Sequence, residues 1–208
     1  MADTQHWESM YEKSPEELPW EITKAPVELI EVIQNNIVTP CKTLDIGCGT
    51  GNYAIYLAKK GFDVTGVDFS ENALAIAKQR ALLANVKIEF VKADALALSK
   101  VLNDKYSFIF DYGLLHHIPL EKISEYAQQF RKLLAKGRRL LIVCYSEEDE
   151  DAKGQKTSVG KYGNVMYYHT ADEIREAYQG LREIYCKKAR LGKRLHHAGH
   201  CFLFENEN

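Results

Sequence analysis

The stretch Thr43-Leu44-Asp45-Ile46-Gly47-Cys48-Gly49-Thr50-Gly51-Asn52-Tyr53 constrains the fold more than any other part of the chain. A short apolar run ends in an acid and crosses three glycines at alternate positions. It then opens onto Asn52 to Lys60, where Tyr53, Ile55, Tyr56, Leu57 and Ala58 favour a helix. This reads as a strand, a tight loop and a helix start. Glycine accepts positive φ and lets a ligand approach bare backbone, and the helix that follows offers unpaired N–H groups. Nucleotide-like ligands use such turns.

The pattern then repeats in kind. Phe62 to Asp68 reads as a second buried strand ending in an acid, and Ser70 caps a helix through about Ala84 with Leu74, Ala77 and Ala81 on one face. Val86 to Lys92 reads as a third strand running into Asp94, and Tyr106 to Tyr112 as a fourth with Asp111 near its end. Pro119 opens a helix whose Ile123, Tyr126, Ala127, Phe130, Leu133 and Leu134 recur at helical spacing, with Gly137 as its stop and Arg139 to Tyr145 as a fifth strand. Strands alternating with helices predict right-handed crossovers and a doubly wound α/β fold, its parallel sheet covered on both faces.

The flanks differ from this core. Trp7 to Trp20 is polar but carries Trp7, Tyr11 and Trp20, with Pro15 and Pro19 limiting regular structure; it reads as a lid over a ligand or a strap packed on the sheet, not as core. Pro26 to Ile37 fits an amphipathic helix with proline in its first turn. In the tail, Thr170-Ala171-Asp172-Glu173 is a capping box, and Leu181 to Ala189 and His200 to Phe204 read as an antiparallel strand pair joined by a basic loop. The acidic run Glu147 to Asp151 reads as a solvated loop.

A chain of 208 residues, 46% hydrophobic, suffices for one core. The expectation is a single domain over 1–208: a lid and helix in 1–40, a cofactor-binding core in 41–145, and a helix with a strand pair in 146–208. A net charge of −2 gives no global attraction to nucleic acid or to an anionic membrane. Five scattered cysteines without a Cys-x-x-Cys pair, and a start that lacks a signal peptide's apolar core, predict reduced thiols in a cytoplasmic protein. No apolar run is long enough to cross a bilayer.

Four acids, Asp45, Asp68, Asp94 and Asp111, fall at or near strand ends, where ligands bind in such sheets. A carboxylate ending the second strand can accept both hydroxyls of a ribose, and one after the third can meet an adenine amino group. Asp45 suits an ammonium. The order Asp45-x-Gly47-x-Gly49-x-Gly51, Val67-Asp68-Phe69-Ser70, Lys92-Ala93-Asp94-Ala95 and Asp111-Tyr112-Gly113-Leu114-Leu115-His116-His117 resembles class I S-adenosylmethionine-dependent methyltransferases over about Leu44 to Tyr145. That family's seven-stranded Rossmann-like sheet, mostly parallel with a C-terminal antiparallel hairpin, also accommodates the tail.

The resemblance implies that Gly47, Cys48 and Gly49 pass under the methionine part of S-adenosylmethionine, with Asp45 holding its amino group. It implies that Asp68 binds the ribose, Phe69 lies against adenine, Asp94 and Ala95 recognise the adenine edge, and Asp111, Tyr112 and Leu115 belong to the wall near the sulfonium. The opening, Trp7-Glu8-x-x-Tyr11 with Leu18-Pro19-Trp20-Glu21, is similar to small-molecule methyltransferases of the thiopurine and tellurite-resistance type, in which an aromatic N-terminal segment covers the cofactor; this puts Trp20 in the site.

The resemblance implies a small-molecule acceptor methylated by in-line displacement, a reaction that chiefly requires alignment and exclusion of water. An amine or hydroxyl acceptor must lose a proton, and His116 is the first candidate base, with His117, Tyr112 and His169 behind it. Other readings stand beside this one: an RNA or protein methyltransferase using the basic Lys187, Lys188, Arg190, Lys193 and Arg194; a non-catalytic S-adenosylmethionine-binding protein; and an NAD-dependent dehydrogenase, against which the glycine spacing and Asp94 argue. His196, His197, His200 and Cys201 are near one another, but neighbours on a strand point to opposite faces, so no metal site is expected. Residue spacing carries no information on oligomeric state.

Overall fold

The computed structural model describes residues 4–207. β1 (Lys42–Ile46), β2 (Asp63–Asp68), β3 (Glu89–Lys92), β4 (Tyr106–Tyr112) and β5 (Leu134–Tyr145) pair in parallel. A ribbon of β6 (Thr157–Val159) and β7 (Val165–Tyr167) stands apart from the sheet, which β8 (Arg182–Leu191) and β9 (His197–Glu205) complete antiparallel. The order β3-β2-β1-β4-β5-β9-β8 reverses direction between β1 and β4. This is the Rossmann-like seven-stranded sheet that the sequence implies.

Strand parity sorts the core into two layers. Leu44, Ile46, Ile109, Leu140 and Ile142 share one apolar cluster, and Val64, Phe108, Phe110, Leu141 and Val143 share the other. Successive side chains on a strand face opposite ways, so a run such as Phe108-Ile109-Phe110 supplies both layers at once. The helices α2 (Val27–Gln34) and α3 (Asn52–Lys59) cover the second cluster through Leu29, Val32, Ala54 and Leu57. On the first lie α5 (Leu98–Val101), α6 (Ile123–Leu133) and α7 (Ala171–Ala177), through Leu98, Tyr126, Phe130, Leu133 and Ile174.

Most expected elements are present, with shifted ends. α4 (Glu71–Leu83) starts under the cap that its sequence specifies, the Ser70 hydroxyl accepting from Ala73 N at 3.1 Å. Thr170 and Glu173 form both bonds of the capping box. The helix expected to run to Gly137 instead ends at Leu133, and β5 begins at once. Asn206 holds this segment in place: its side-chain amide donates to Leu134 O at 2.8 Å, and its carbonyl accepts from Gly137 N at 2.6 Å. That tie comes from the far end of the chain, so local periodicity does not contain it.

The N-terminal segment departs further from expectation. α1 (Thr4–Met10) is helical, and a 3-10 turn over Pro15–Glu17 places proline where no N–H is needed. Met10, Tyr11 and Leu18 are buried with Ala73 of α4, so this polar stretch builds a small core of its own. The Glu147 to Asp151 run also departs from the solvated reading: Asp149 is buried and accepts from Ala198 N at 2.6 Å and Asp151 N at 3.0 Å. No helix among the described residues is long and apolar enough to cross a membrane.

Candidate functional site

A cavity of about 1170 Å³ lies across the C-terminal ends of the parallel strands, at the reversal of strand order. The loop after β1 forms part of its wall through Gly47, Cys48 and Gly49. Cys48 N donates to Val67 O at 2.9 Å and Gly49 N to Asp68 Oδ2 at 2.9 Å, so the end of β2 pins the loop. Gly49 has φ +51°, and a Cβ there would sit 3.0 Å from Tyr11 Oη. The loop therefore presents bare backbone beneath the N-terminal segment.

The four acids take distinct places. Asp68 and Asp94 line the cavity. Asp68 accepts from Gly49 N and from Ser70 N, each at 2.9 Å, and each of its oxygens retains a further lone pair. Burial pushes its pKa up. Asp94 is exposed and accepts from Leu96 N at 2.9 Å.

Asp45 and Asp111 lie below the lining residues. Asp111 is fully buried and accepts from Leu114 N and from the Tyr126 hydroxyl, each at 2.9 Å, which braces the turn after β4. Its pKa is raised to about 6 by burial. Asp45 is 2% exposed and its Oδ2 has no hydrogen-bond partner. Burial, with Asp111 and Asp68 nearby, raises Asp45 to about 7. A buried carboxylate oxygen without a partner is costly unless a ligand supplies one.

The N-terminal segment covers this end. Trp20 and Trp7 meet edge to face at 5.0 Å, Tyr11 lies 6.2 Å and Tyr162 6.3 Å from Trp20, and all four line the cavity. Glu21, directly after Trp20, accepts from Thr50 Oγ1 at 2.8 Å and Asn52 Nδ2 at 2.7 Å, fastening the cover to the glycine loop and the start of α3. Glu8 accepts from Asn72 N at 3.2 Å at the start of α4.

The other end, above β4 and β5, is lined by rings. Tyr112 follows Asp111, and His116 stacks on Tyr145 with centroids 3.7 Å apart and planes 5° from parallel. His116 Nδ1 accepts from Tyr145 N at 3.4 Å. Burial, with His117, His169 and His197 nearby, holds His116 well below the usual histidine pKa. His117 Nδ1 faces Val165 O at 3.2 Å, and burial lowers it to about 4. His169 is fully buried and does not line the cavity. His200 Nε2 pairs with Glu147 at 2.9 Å, whereas His197 Nδ1 lies 3.3 Å from Asp149 and its ring meets that of His196 at 3.9 Å.

Of the residues singled out from sequence, Trp20, Gly47, Cys48, Gly49, Asp68, Phe69, Asp94, Ala95, Tyr112 and His116 line one cavity. Asp45, Asp111 and Leu115 stand behind it. The basic hairpin is largely engaged elsewhere: Lys187 pairs with Glu31, Lys188 with Glu148 at 2.6 Å, and Arg190 donates to His196 O at 3.1 Å. Lys193 and Arg194 line the cavity. Sequence reasoning missed Arg80, Tyr145 and the β6–β7 ribbon with Tyr162. Arg80 and Tyr145 are ordinary residues of a helix and a strand, and the ribbon strands of three residues each carry too short a pattern to read.

Residues 43–137 match the methyltransferase domain family. A probable S-adenosyl-L-methionine-dependent methyltransferase, TehB of Haemophilus influenzae, is 29% identical over 114 residues, 55% of this chain and 39% of that protein. The chain thus spans about two fifths of that relative's length. The 2-heptyl-1-hydroxyquinolin-4(1H)-one methyltransferase of Mycobacteroides abscessus is 28% identical over 189 residues, 84% of this chain and 82% of that protein. A solved structure concerned with conversion of a disulfide bond into a thioacetal group during echinomycin biosynthesis superposes with a TM-score of 0.80, covering 99% of this chain and 94% of that one at 22% identity, which establishes the shared fold.

Proposed function

We propose, from the match of residues 43–137 to the methyltransferase domain family, that this chain is a class I, S-adenosylmethionine-dependent methyltransferase that transfers a methyl group to a small molecule. The observation that carries the reading is Asp45. Its buried, unpartnered oxygen next to the glycine loop fits an ammonium group. A dinucleotide pyrophosphate would put negative charge beside that carboxylate.

When bound, S-adenosylmethionine supplies a methyl group on a sulfonium. The residues present fit it: Gly47 and Gly49 offer open backbone, Asp68 keeps free lone pairs for ribose hydroxyls, and Phe69, Asp94 and Ala95 border the same cavity for an adenine. Asp111 positions the turn that carries Tyr112 to Leu115 through its bonds to Leu114 N and Tyr126. Trp7, Trp20 and Tyr162 exclude water above the reacting centre. In-line transfer needs alignment more than protein chemistry.

The quinolone methyltransferase relative, matched over most of both chains, supports a small-molecule acceptor. Read as one domain, the chain uses 1–40 as cover, 41–145 to hold the cofactor and 146–208 to shape the acceptor end. Five free cysteines support a reducing, cytoplasmic setting. Calorimetric titration with S-adenosylmethionine, S-adenosylhomocysteine and NADH tests the reading: micromolar binding of the sulfur compounds alone is expected, followed by transfer of labelled methyl to a metabolite pool. Binding of NADH instead would overturn it. Cofactor binding without transfer to metabolite, RNA or protein pools would leave a non-catalytic binding protein.

A further inference from the structure

We infer that the methyl acceptor is a flat heteroaromatic acid that enters as its anion, and that His116 donates an N–H to the nucleophilic atom and takes no proton from it. This rests on the methyltransferase reading above and names the substrate class for that same site.

The cavity divides along the sheet. The residues suited to adenosine and methionine follow β1, β2 and β3, while a second half lies beyond β4 and β5, walled by the β6–β7 segment and the β8–β9 turn. About 1170 Å³ exceeds the ~300–1,000 Å³ typical of a single-ligand pocket. There is room for a second molecule beside the cofactor.

Rings line that half as a continuous arc. Trp7 meets His117 at 4.7 Å, His117 meets His116 at 4.5 Å, His116 stacks on Tyr145, and Tyr145 meets His197 at 4.6 Å. Such walls favour a flat ring system, which stacks or packs edge to face with little loss of side-chain freedom.

Hydrogen bonding fixes the proton positions on the two histidines. Tyr145 N can only donate, so His116 Nδ1 is bare and the neutral ring carries its proton on Nε2. Gly113, with no side chain, leaves space beside that nitrogen: a Cβ there would lie 4.0 Å from Nε2. The carbonyl of Val165 can only accept, so His117 holds its proton on Nδ1. The groups around His116 are His117, His169, His197 and Tyr145. His117 and His169 are held near 4 by burial, burial pushes the phenols of Tyr145 and Tyr112 above their usual range, and His197 faces Asp149 and Asp151. His116 Nε2, already protonated, cannot take a proton from an acceptor beside it.

Charge at the mouth agrees. Lys153, Lys193 and Arg194 line this half beside Asp151, while Glu21, Asp68 and Asp94 line the cofactor half. That field attracts an anion. The transfer then balances without a proton: the acceptor's electron pair bonds the methyl carbon as the carbon–sulfur bond breaks, and that bond's pair stays on sulfur. The anionic acceptor leaves as a neutral methylated product, and His116 Nε2–H fixes its direction of approach.

The test uses the full chain, labelled S-adenosylmethionine and hydroxy-heteroaromatic acceptors whose own acidities span neutrality, with aliphatic alcohols and amines of similar size for comparison. Transfer should favour the flat acids, and the pH midpoint of kcat/KM should move with each acceptor's own pKa. His116→Phe should lower kcat/KM at least about 10-fold without moving those midpoints, and His116→Gln, whose amide N–H falls near Nε2–H, should recover most of the loss. One midpoint shared by all acceptors and abolished in His116→Phe would overturn the inference, as would equal transfer to aliphatic acceptors. Titration of each variant with S-adenosylhomocysteine separates the two readings: binding without transfer to flat acids overturns this inference alone, and no binding by the unsubstituted chain overturns the methyltransferase reading with it.

Discussion

Arg80 Nη1 lies 2.5 Å from Glu21 Oε1, joining the last turn of α4 to the segment that covers the cavity. The same nitrogen donates to Thr50 Oγ1 at 2.7 Å and Asn52 Oδ1 at 3.1 Å. Glu21 is 9% exposed, so the pairing is largely shielded from water. One guanidinium thereby ties the cover to the glycine loop.

Removing Arg80 strands that carboxylate. Arg80→Ala should destabilise the fold by about 3 kcal/mol and weaken S-adenosylhomocysteine binding, read by urea unfolding and calorimetry. The double variant with Glu21→Ala should show coupling of about 1–3 kcal/mol. Additive losses would mean that the pair does not act as a latch.

Asp68→Ala removes the ribose acceptor together with the brace on Gly49 N. A charge-assisted hydrogen bond contributes about 1.5–3 kcal/mol, so cofactor affinity should fall about 10- to 100-fold. Unchanged affinity would sink the ribose assignment.

Asp45 links binding to pH. Its pKa in the folded, ligand-free protein is raised to about 7, so its contribution to stability is fully present below the ordinary carboxylate range and is lost as pH rises through about 7. An ammonium ligand favours the ionised form and expels the proton. Binding should therefore release about one proton near pH 6 and almost none above about pH 8.5, measured by calorimetry in buffers of different ionisation heat. Equal proton release at both ends would remove Asp45 from the binding step.

Gly51 has φ +81°, and a Cβ there would stand 2.9 Å from Ala77 Cβ on α4. Backbone strain and overpacking together predict that Gly51→Ala costs about 2–4 kcal/mol, seen as a lower Tm. A wild-type Tm would show that α4 yields freely.

Trp20→Ala opens the cover where it meets Trp7, Tyr11 and Tyr162. Turnover should fall more than cofactor affinity, because water enters while the adenosine contacts remain. Wild-type kcat would leave Trp20 as packing alone.

What the sequence determined by itself lies where the causes are local. The glycine loop, the Ser70 cap, the Thr170 capping box and the acids at strand ends are each specified within a few residues, and Tyr106 to Tyr112 is the strand that its pattern predicts. Tertiary structure decided the rest. Leu133 ends its helix because Asn206 holds the next residues, the polar N-terminal stretch buries Met10, Tyr11 and Leu18 because α4 offers a surface, and Glu21 meets Arg80 from 59 positions away. Whether His116 can act as a base depends on a backbone N–H at Tyr145, brought within reach by the pairing of β4 with β5. Periodicity and motif spacing record only what a residue owes to its neighbours in the chain. A hydrogen bond between distant elements exists only once the sheet has set their register.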